Sequence, residues 1–204
     1  MTTDILHEQK ILILDFGSQY TQNIARKVRE CQIYCEIHPC TLSFEEIKAL
    51  NAKGIILSGG PASVQEKDSP LCDLRLFKLG VPILGICYGM QLITHLLGGK
   101  VDSSPHREFG RAELMLNEFS LMFEEVKSNS IVWMSHGDRI SKLPTGFKGI
   151  AHTNNSPLAA IENSAAKIYG LQFHPEVVHT LEGTKILNNF LFKICQCSRN
   201  WKME

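Results

Sequence analysis

The chain has 204 residues, 44% of them hydrophobic and 21% charged, enough to bury one substantial core, so one globular domain of ordinary composition is expected. Its 21 basic and 21 acidic residues cancel and form no lysine or arginine stripe, which argues against a nucleic-acid partner. No apolar run is long enough to cross a bilayer, Met1 to Gln9 lacks the apolar segment of a signal peptide, and the seven cysteines fit neither a zinc pattern nor a disulfide framework, so a cytoplasmic protein with reduced thiols, no membrane contact and no metal site is expected.

Lys10 to Asp15 is a short continuous apolar run, the pattern of a strand buried on both faces of a parallel sheet, and Phe16-Gly17-Ser18 breaks it. From Gln19 to Glu30, Ile24, Ala25 and Val28 recur at helical spacing while Arg26, Lys27 and Arg29 face outward. Ile33 to His38 reads as a second strand ended by Pro39, and Ser43 with Glu46 three residues later reads as a capping box opening a helix. Gly54 to Ser58 is a third strand. The loop that follows, Ser58-Gly59-Gly60-Pro61-Ala62-Ser63, superficially resembles the pyrophosphate-gripping loop of ATP pyrophosphatases, but Ala62 stands where that loop has aspartate. Either it is a simple turn, or a glycine there offers a backbone N–H to a developing negative charge at the carboxyl end of the sheet.

Asp73 to Leu79 reads as a short helix stopped by Gly80, and Pro82 to Ile86 as the next strand. That strand ends in Gly85-Ile86-Cys87-Tyr88-Gly89, after which Tyr88 to Leu97 reads as a helix stopped by Gly98 and Gly99. A cysteine between two glycines at this spacing is the thiol version of a nucleophile elbow, with the sulfur at a helix N-terminus, where unsatisfied N–H groups and the helix dipole favour thiolate. Beyond the elbow helix the pattern changes to shorter extended pieces at Arg111 to Leu116, Ile131 to Met134, Gly149 to His152, Leu158 to Ile161 and Ile168 to Phe173. The fold expected is therefore α/β, an open, mainly parallel central sheet with flanking helices plus a small antiparallel part. A last helix, Gly183 to about Cys195, presents Ile186, Leu187, Phe190, Leu191 and Ile194 on one face.

Phe173-His174-Pro175-Glu176 closes the final strand, so His174 and Glu176 leave the sheet's edge together, with Pro175 forcing the turn. A nucleophile needs a base, and the base needs an orienting acceptor. Cys87, His174 and Glu176 supply all three.

The cysteine elbow followed by Gln91, together with the terminal His-Pro-Glu, resembles the class I glutamine amidotransferases, whose flavodoxin-like glutaminase domain hydrolyses glutamine through a thioester and passes ammonia to a partner. Ile13 to Tyr20, Leu57 to Pro61, and Met134-Ser135-His136-Gly137-Asp138 further resemble the amidotransferase domains of GMP synthases, and the likeness covers nearly the whole chain. The resemblance implies L-glutamine as substrate, attack by Cys87, an oxyanion hole from the backbone N–H groups of Gly59 and Tyr88, and a substrate grip from Gly60, Gln91, Ser135 and His136, with Gln91 bonding the carboxylate or the amine end. It implies residues 1–197 as the amidotransferase domain and 198–204 as the start of a linker to an ATP pyrophosphatase domain, present in cis or as a separate subunit. ATP and magnesium are expected only there, no cofactor is expected in this chain, and any homodimer would form through that other domain. Without it the glutaminase should be weak. The competing readings are a stand-alone cysteine hydrolase of γ-glutamyl bonds and an inactive regulatory module of the same fold.

Overall fold

A computed structural model describes residues 9–201; the readings of the first eight residues and of 202–204 lie outside the described residues. The chain runs β1 (Ile11–Asp15), α1 (Thr21–Glu30), β2 (Cys35–Pro39), α2 (Phe44–Ala49) and β3 (Gly54–Leu57), passes a 3-10 turn at Leu74–Lys78, and continues into β4 (Ile83–Ile86) and α3 (Tyr88–Leu96). It then forms β5 (Lys100–Leu116), β6 (Ser130–Lys142), β7 (Lys148–His152), β8 (Ala160–Asn163), β9 (Ile168–Leu171) and α4 (Gly183–Asn188).

The strand order is β2-β1-β3-β4-β9-β8-β7-β5-β6. β2, β1, β3, β4 and β9 pair in parallel, whereas β8, β7, β5 and β6 join antiparallel. The long β5–β6 ribbon accounts for most of the antiparallel residues, well beyond the short pieces at 111–116 and 131–134 read from sequence. Its polar segments, such as Ser135 to Asp138, carry no local strand signal, because pairing with a partner strand decides their conformation.

β3, β4 and β9 are buried at every position, as strands covered on both faces must be. In β1 the alternation of the pleat sends Ile11 and Ile13 to one core and Leu12 and Leu14 to the other. The first core gathers Ile24 and Val28 of α1 with Ile186 and Leu187 of α4; the second gathers Ile47 of α2 with Met90 and Ile93 of α3. The result is helices on both faces of an α/β sheet. Ser43 caps α2 as read, its hydroxyl accepting from the Glu46 N–H while the Glu46 carboxylate accepts from the Ser43 N–H.

The last helix and the position of the strand before His174 also differ from the sequence reading. The last helix is α-helical only to Asn188 and widens to a π-helix over Asn189–Ile194, where buried Asn189 donates its amide to the carbonyls of Met122 and Glu124. His174 and Glu176 follow β9, which is the fifth strand of nine, so they emerge from the middle of the sheet at its carboxyl end and not from an edge. Because β2 and β3 flank β1 on opposite sides, the loops after β1 and β3 diverge and leave a crevice at that same end.

Candidate active site

Cys87 sits between β4 and α3 with φ 52° and ψ −105°, a left-sided backbone that a non-glycine residue rarely adopts and that costs on the order of 1–3 kcal/mol. The surroundings hold it there. The Cys87 N–H donates to the Leu171 carbonyl of β9 at 2.7 Å, and the Cys87 carbonyl accepts from the N–H groups of Met90 and Gln91. Close approach explains the flanking glycines: a Cβ on Gly85 would lie 2.5 Å from the Gly89 carbonyl, and one on Gly89 would run into the Leu57 carbonyl. Tyr88, the first residue of α3, turns its ring away against Phe16, with the hydroxyl donating to the Pro70 carbonyl. N–H groups at this first helical position have no intrahelical acceptor.

The structure brings Cys87, His174 and Glu176 together. His174 Nδ1 lies 2.7 Å from Glu176 Oε1, both side chains are buried, and His174 and Cys87 line one cavity beside Gly59. With Nδ1 committed to the carboxylate, Nε2 is the nitrogen that serves the thiol. Burial opposes the imidazolium, but the neighbouring Cys87 and the hydrogen-bonded carboxylate of Glu176 outweigh it and raise the imidazole to about 10. The second carboxylate oxygen of Glu176 has no hydrogen-bond partner among the described residues, so the imidazole is the contact that balances this buried charge.

The backbone of His174 is clamped on both sides. Its N–H donates to the Trp133 carbonyl of β6 at 3.0 Å, and its carbonyl accepts from the Thr180 hydroxyl at 2.6 Å. Gly183 at the start of α4 packs directly on the Pro175 carbonyl, leaving no room for a Cβ. Tyr20, from the loop after β1, stacks edge-on to the His174 ring at 5.1 Å.

Gly59 lies beside the pair: a Cβ built on it would be 3.1 Å from His174 Cε1 and 3.7 Å from Cys87 Cβ. The preceding hydroxyl of Ser58 donates to the Gly59 carbonyl at 2.8 Å and accepts from the Phe16 N–H at 2.9 Å, tying the loops after β1 and β3 to each other. Gly60 lines the two cavities that meet at Cys87.

The larger cavity, of about 380 Å³, is lined by Cys87, Gln91, Ser135, His136 and Asp138 among others. The Ser135 carbonyl accepts from the Cys87 thiol at 3.5 Å, so the main chain of β6 faces the sulfur. Gln91 Nε2 donates to the Asp138 carbonyl at 3.1 Å and to Gln172 Oε1 at 3.3 Å. The carbonyl acceptor fixes which end of the Gln91 amide is nitrogen, and both of its hydrogens have protein acceptors. His136 turns its ring inward instead: Nδ1 meets the Asp138 carbonyl at 2.9 Å and Nε2 lies 3.3 Å from Glu108 Oε2. Burial would raise the Glu108 carboxyl, but hydrogen bonds from His136, Ser156 and Thr153 prevail and hold it below the usual carboxylate range.

Four residues that the sequence reading did not assign to the site also shape it. Gln172 donates to Cys87 Sγ at 3.8 Å; it stands two residues before His174, so alternation along extended chain could have placed both on one side. Asp138 accepts from the hydroxyls of Ser63 and Ser103, pinning the loop that carries Gly59 and Gly60 to the ribbon. Thr180 and Gly183 act only on the backbone of the His174 turn. Among the described residues no group of three or more His, Cys, Asp or Glu side chains could hold a metal ion, and no helix is long and apolar enough to cross a membrane.

Residues 12–194 match the family described as glutamine amidotransferase class-I. The glutamine-hydrolysing GMP synthases of Caldanaerobacter subterraneus subsp. tengcongensis and Brachyspira hyodysenteriae are 55% identical over 199 residues and 57% identical over 194. Those alignments cover 98% and 95% of this chain but 39% and 38% of the relatives, so the chain spans about two-fifths of their length. Among solved structures, a Thermoplasma acidophilum protein assigned to the GMP synthases superposes with TM-score 0.84 and 32% identity over 93% of this chain and 95% of that one. A Thermotoga maritima glutamine amidotransferase, at 18% identity and TM-score 0.75 over 94% and 100% of the two chains, shares the fold.

Proposed function

The chain belongs to the class I glutamine amidotransferase family, and from that premise we propose that it is the glutamine-hydrolysing part of a GMP synthase, feeding ammonia to a synthetase domain that aminates XMP. The observation that carries the chemistry is the buried Cys87–His174–Glu176 chain at the carboxyl end of the sheet. In this reading Cys87 Sγ attacks the side-chain amide carbon of glutamine, and the backbone N–H groups of Gly59 and Tyr88 hold the oxyanion; one such donor contributes ~3 kcal/mol to transition-state stabilisation. His174 gives its proton to the departing ammonia, then takes one from the water that splits the thioester, while Glu176 keeps the ring oriented.

The amino-acid head group would occupy the larger cavity, held by Gly60, Gln91 and the main chain of Ser135 and His136. Since Gln91 spends its amide hydrogens on Asp138 and Gln172, it offers the substrate an oxygen, and its partner is the α-ammonium and not the α-carboxylate. The relatives' greater length supports a synthetase partner, in cis or as a separate subunit, which would bring its own ATP and magnesium; residues 1–197 would form the glutaminase domain in a cytoplasmic enzyme.

The test is to incubate the chain with glutamine, with and without a synthetase domain loaded with nucleotide, and to follow glutamate and GMP. Cys87→Ala in the assembly should abolish glutamine-dependent GMP formation while formation from added ammonium survives. Loss of both activities would give Cys87 a structural role, and glutamine hydrolysis indifferent to a loaded synthetase would identify a stand-alone hydrolase.

A further inference from the structure

Two cavities meet at Cys87, and of the two the smaller is also lined by His174. The larger contains Gln91 and Asp138 and does not include His174. The smaller, about 240 Å³, is lined by Gly17, Ser18, Gln19, Tyr20 and His174, and shares Gly60, Pro61, Cys87 and Ser135 with its neighbour. It fills the crevice between the loops after β1 and β3, where the sheet order changes direction.

Resting on the glutaminase reading above, we infer that this smaller cavity is the leaving-group and water chamber of the enzyme, a site for small neutral molecules, ammonia on the way out and water on the way in. The argument is one of proton geometry. When the Cys87 S–C bond forms and the amide C–N bond breaks, the nitrogen must collect a proton from His174, so it departs on the imidazole's side of the sulfur. In the second step a water oxygen bonds the acyl carbon, the C–S bond breaks, and the water's proton returns to the same imidazole. That water must therefore also stand on the imidazole's side. With the head group in the cavity that holds Gln91, the Gly17–Tyr20 chamber is the space on that side of the reacting carbon. Its lining suits such guests, with the Ser18 hydroxyl and the edge-stacked Tyr20 ring beside His174.

The chamber should therefore select substrates by leaving-group size. The experiment compares kcat/KM of the chain for glutamine, which releases ammonia, and for L-γ-glutamylmethylamide, which releases methylamine. It uses two substitutions on exposed rim residues: Gln19→Trp, to narrow the smaller chamber, and Glu66→Trp, to narrow the larger cavity. Gln19→Trp should shift the ratio against the methylamide by about tenfold, the scale of discrimination one methylene provides, with KM for glutamine unchanged. Gln19→Ala should shift it the other way. Glu66→Trp should raise KM for both substrates alike and leave the ratio alone. Equal slowing of both substrates by Gln19→Trp, a ratio that moves with Glu66→Trp, or a raised glutamine KM in the Gln19 variants would overturn the assignment. Absence of turnover of either substrate by the unaltered chain, alone or with a loaded synthetase, would instead count against the glutaminase reading.

Discussion

The side-chain amide of Gln172 donates to the sulfur of Cys87 over 3.8 Å and at the same time accepts from Gln91 at 3.3 Å, so one buried residue links Cys87 to Gln91 in the larger cavity. A donor aimed at sulfur stabilises negative charge there more than it stabilises the neutral thiol. Gln172→Leu removes that donor and leaves Gln91 short of an acceptor. Alkylation of Cys87 by iodoacetamide at pH 7 should slow about tenfold, equivalent to ~1.4 kcal/mol. Gln172→Glu, which keeps the shape but turns a donor into a carboxylate, should slow it further. An unchanged alkylation rate in both variants would leave Gln172 a packing role only.

The raised imidazole makes a signed statement about stability. A group whose folded value, about 10, exceeds its ordinary value of 6.5 stabilises the fold fully below the lower value, and that contribution fades as pH rises through the upper one. Urea unfolding of the native chain and of His174→Gln should therefore show the difference between them largest near pH 6 and shrinking steadily toward pH 10. A difference that grows with pH would mean the imidazole is held neutral, contrary to its contacts with Glu176 and Cys87.

Gly183 sets the position of the His174–Glu176 turn from behind. Because a Cβ there would meet the Pro175 carbonyl, Gly183→Ala must push α4 and the His174–Glu176 turn apart. The expected cost is roughly 1–3 kcal/mol of stability, as for overpacking elsewhere, with a fall in kcat larger than any change in KM. Thermal unfolding and steady-state kinetics on the same preparation separate the two effects. Wild-type kcat with a lowered melting temperature would show that the turn does not depend on this contact.

Asp138 joins three parts of the site. Its carbonyl accepts from Gln91 and His136, and its carboxylate accepts from the hydroxyls of Ser63 and Ser103. Asp138→Ala keeps the carbonyl and removes the tie to the loop carrying Gly59 and Gly60 along with the bond from Ser103 of β5. Glutamine turnover should drop by about tenfold, consistent with losing hydrogen bonds to a charged acceptor worth ~1.5 kcal/mol, and Ser63→Ala should reproduce most of the loss. Additive effects in the double variant would show that the two side chains act independently.

The local sequence determined the parallel strands and the sharp turn at Cys87. The apolar runs at Ile11–Leu14 and Ile83–Ile86 could be buried only as central strands, and Gly85 and Gly89 mark a turn too tight for side chains on either side of Cys87. The pairing of His174 with Glu176 spans two residues, short enough to be read directly. What the tertiary structure alone decided lies at long range. Gln91 finds Asp138 across 47 residues and Gln172 across 81, and Gln172 reaches Cys87 across 85. The division of the space around the sulfur into two cavities belongs to the same level. Periodicity and turn chemistry act over a few residues and fix which face a side chain takes. The partner on that face is set by strand order, the placement of β9 beside β4 and the reach of the β5–β6 ribbon, and these follow from burial of the whole sheet.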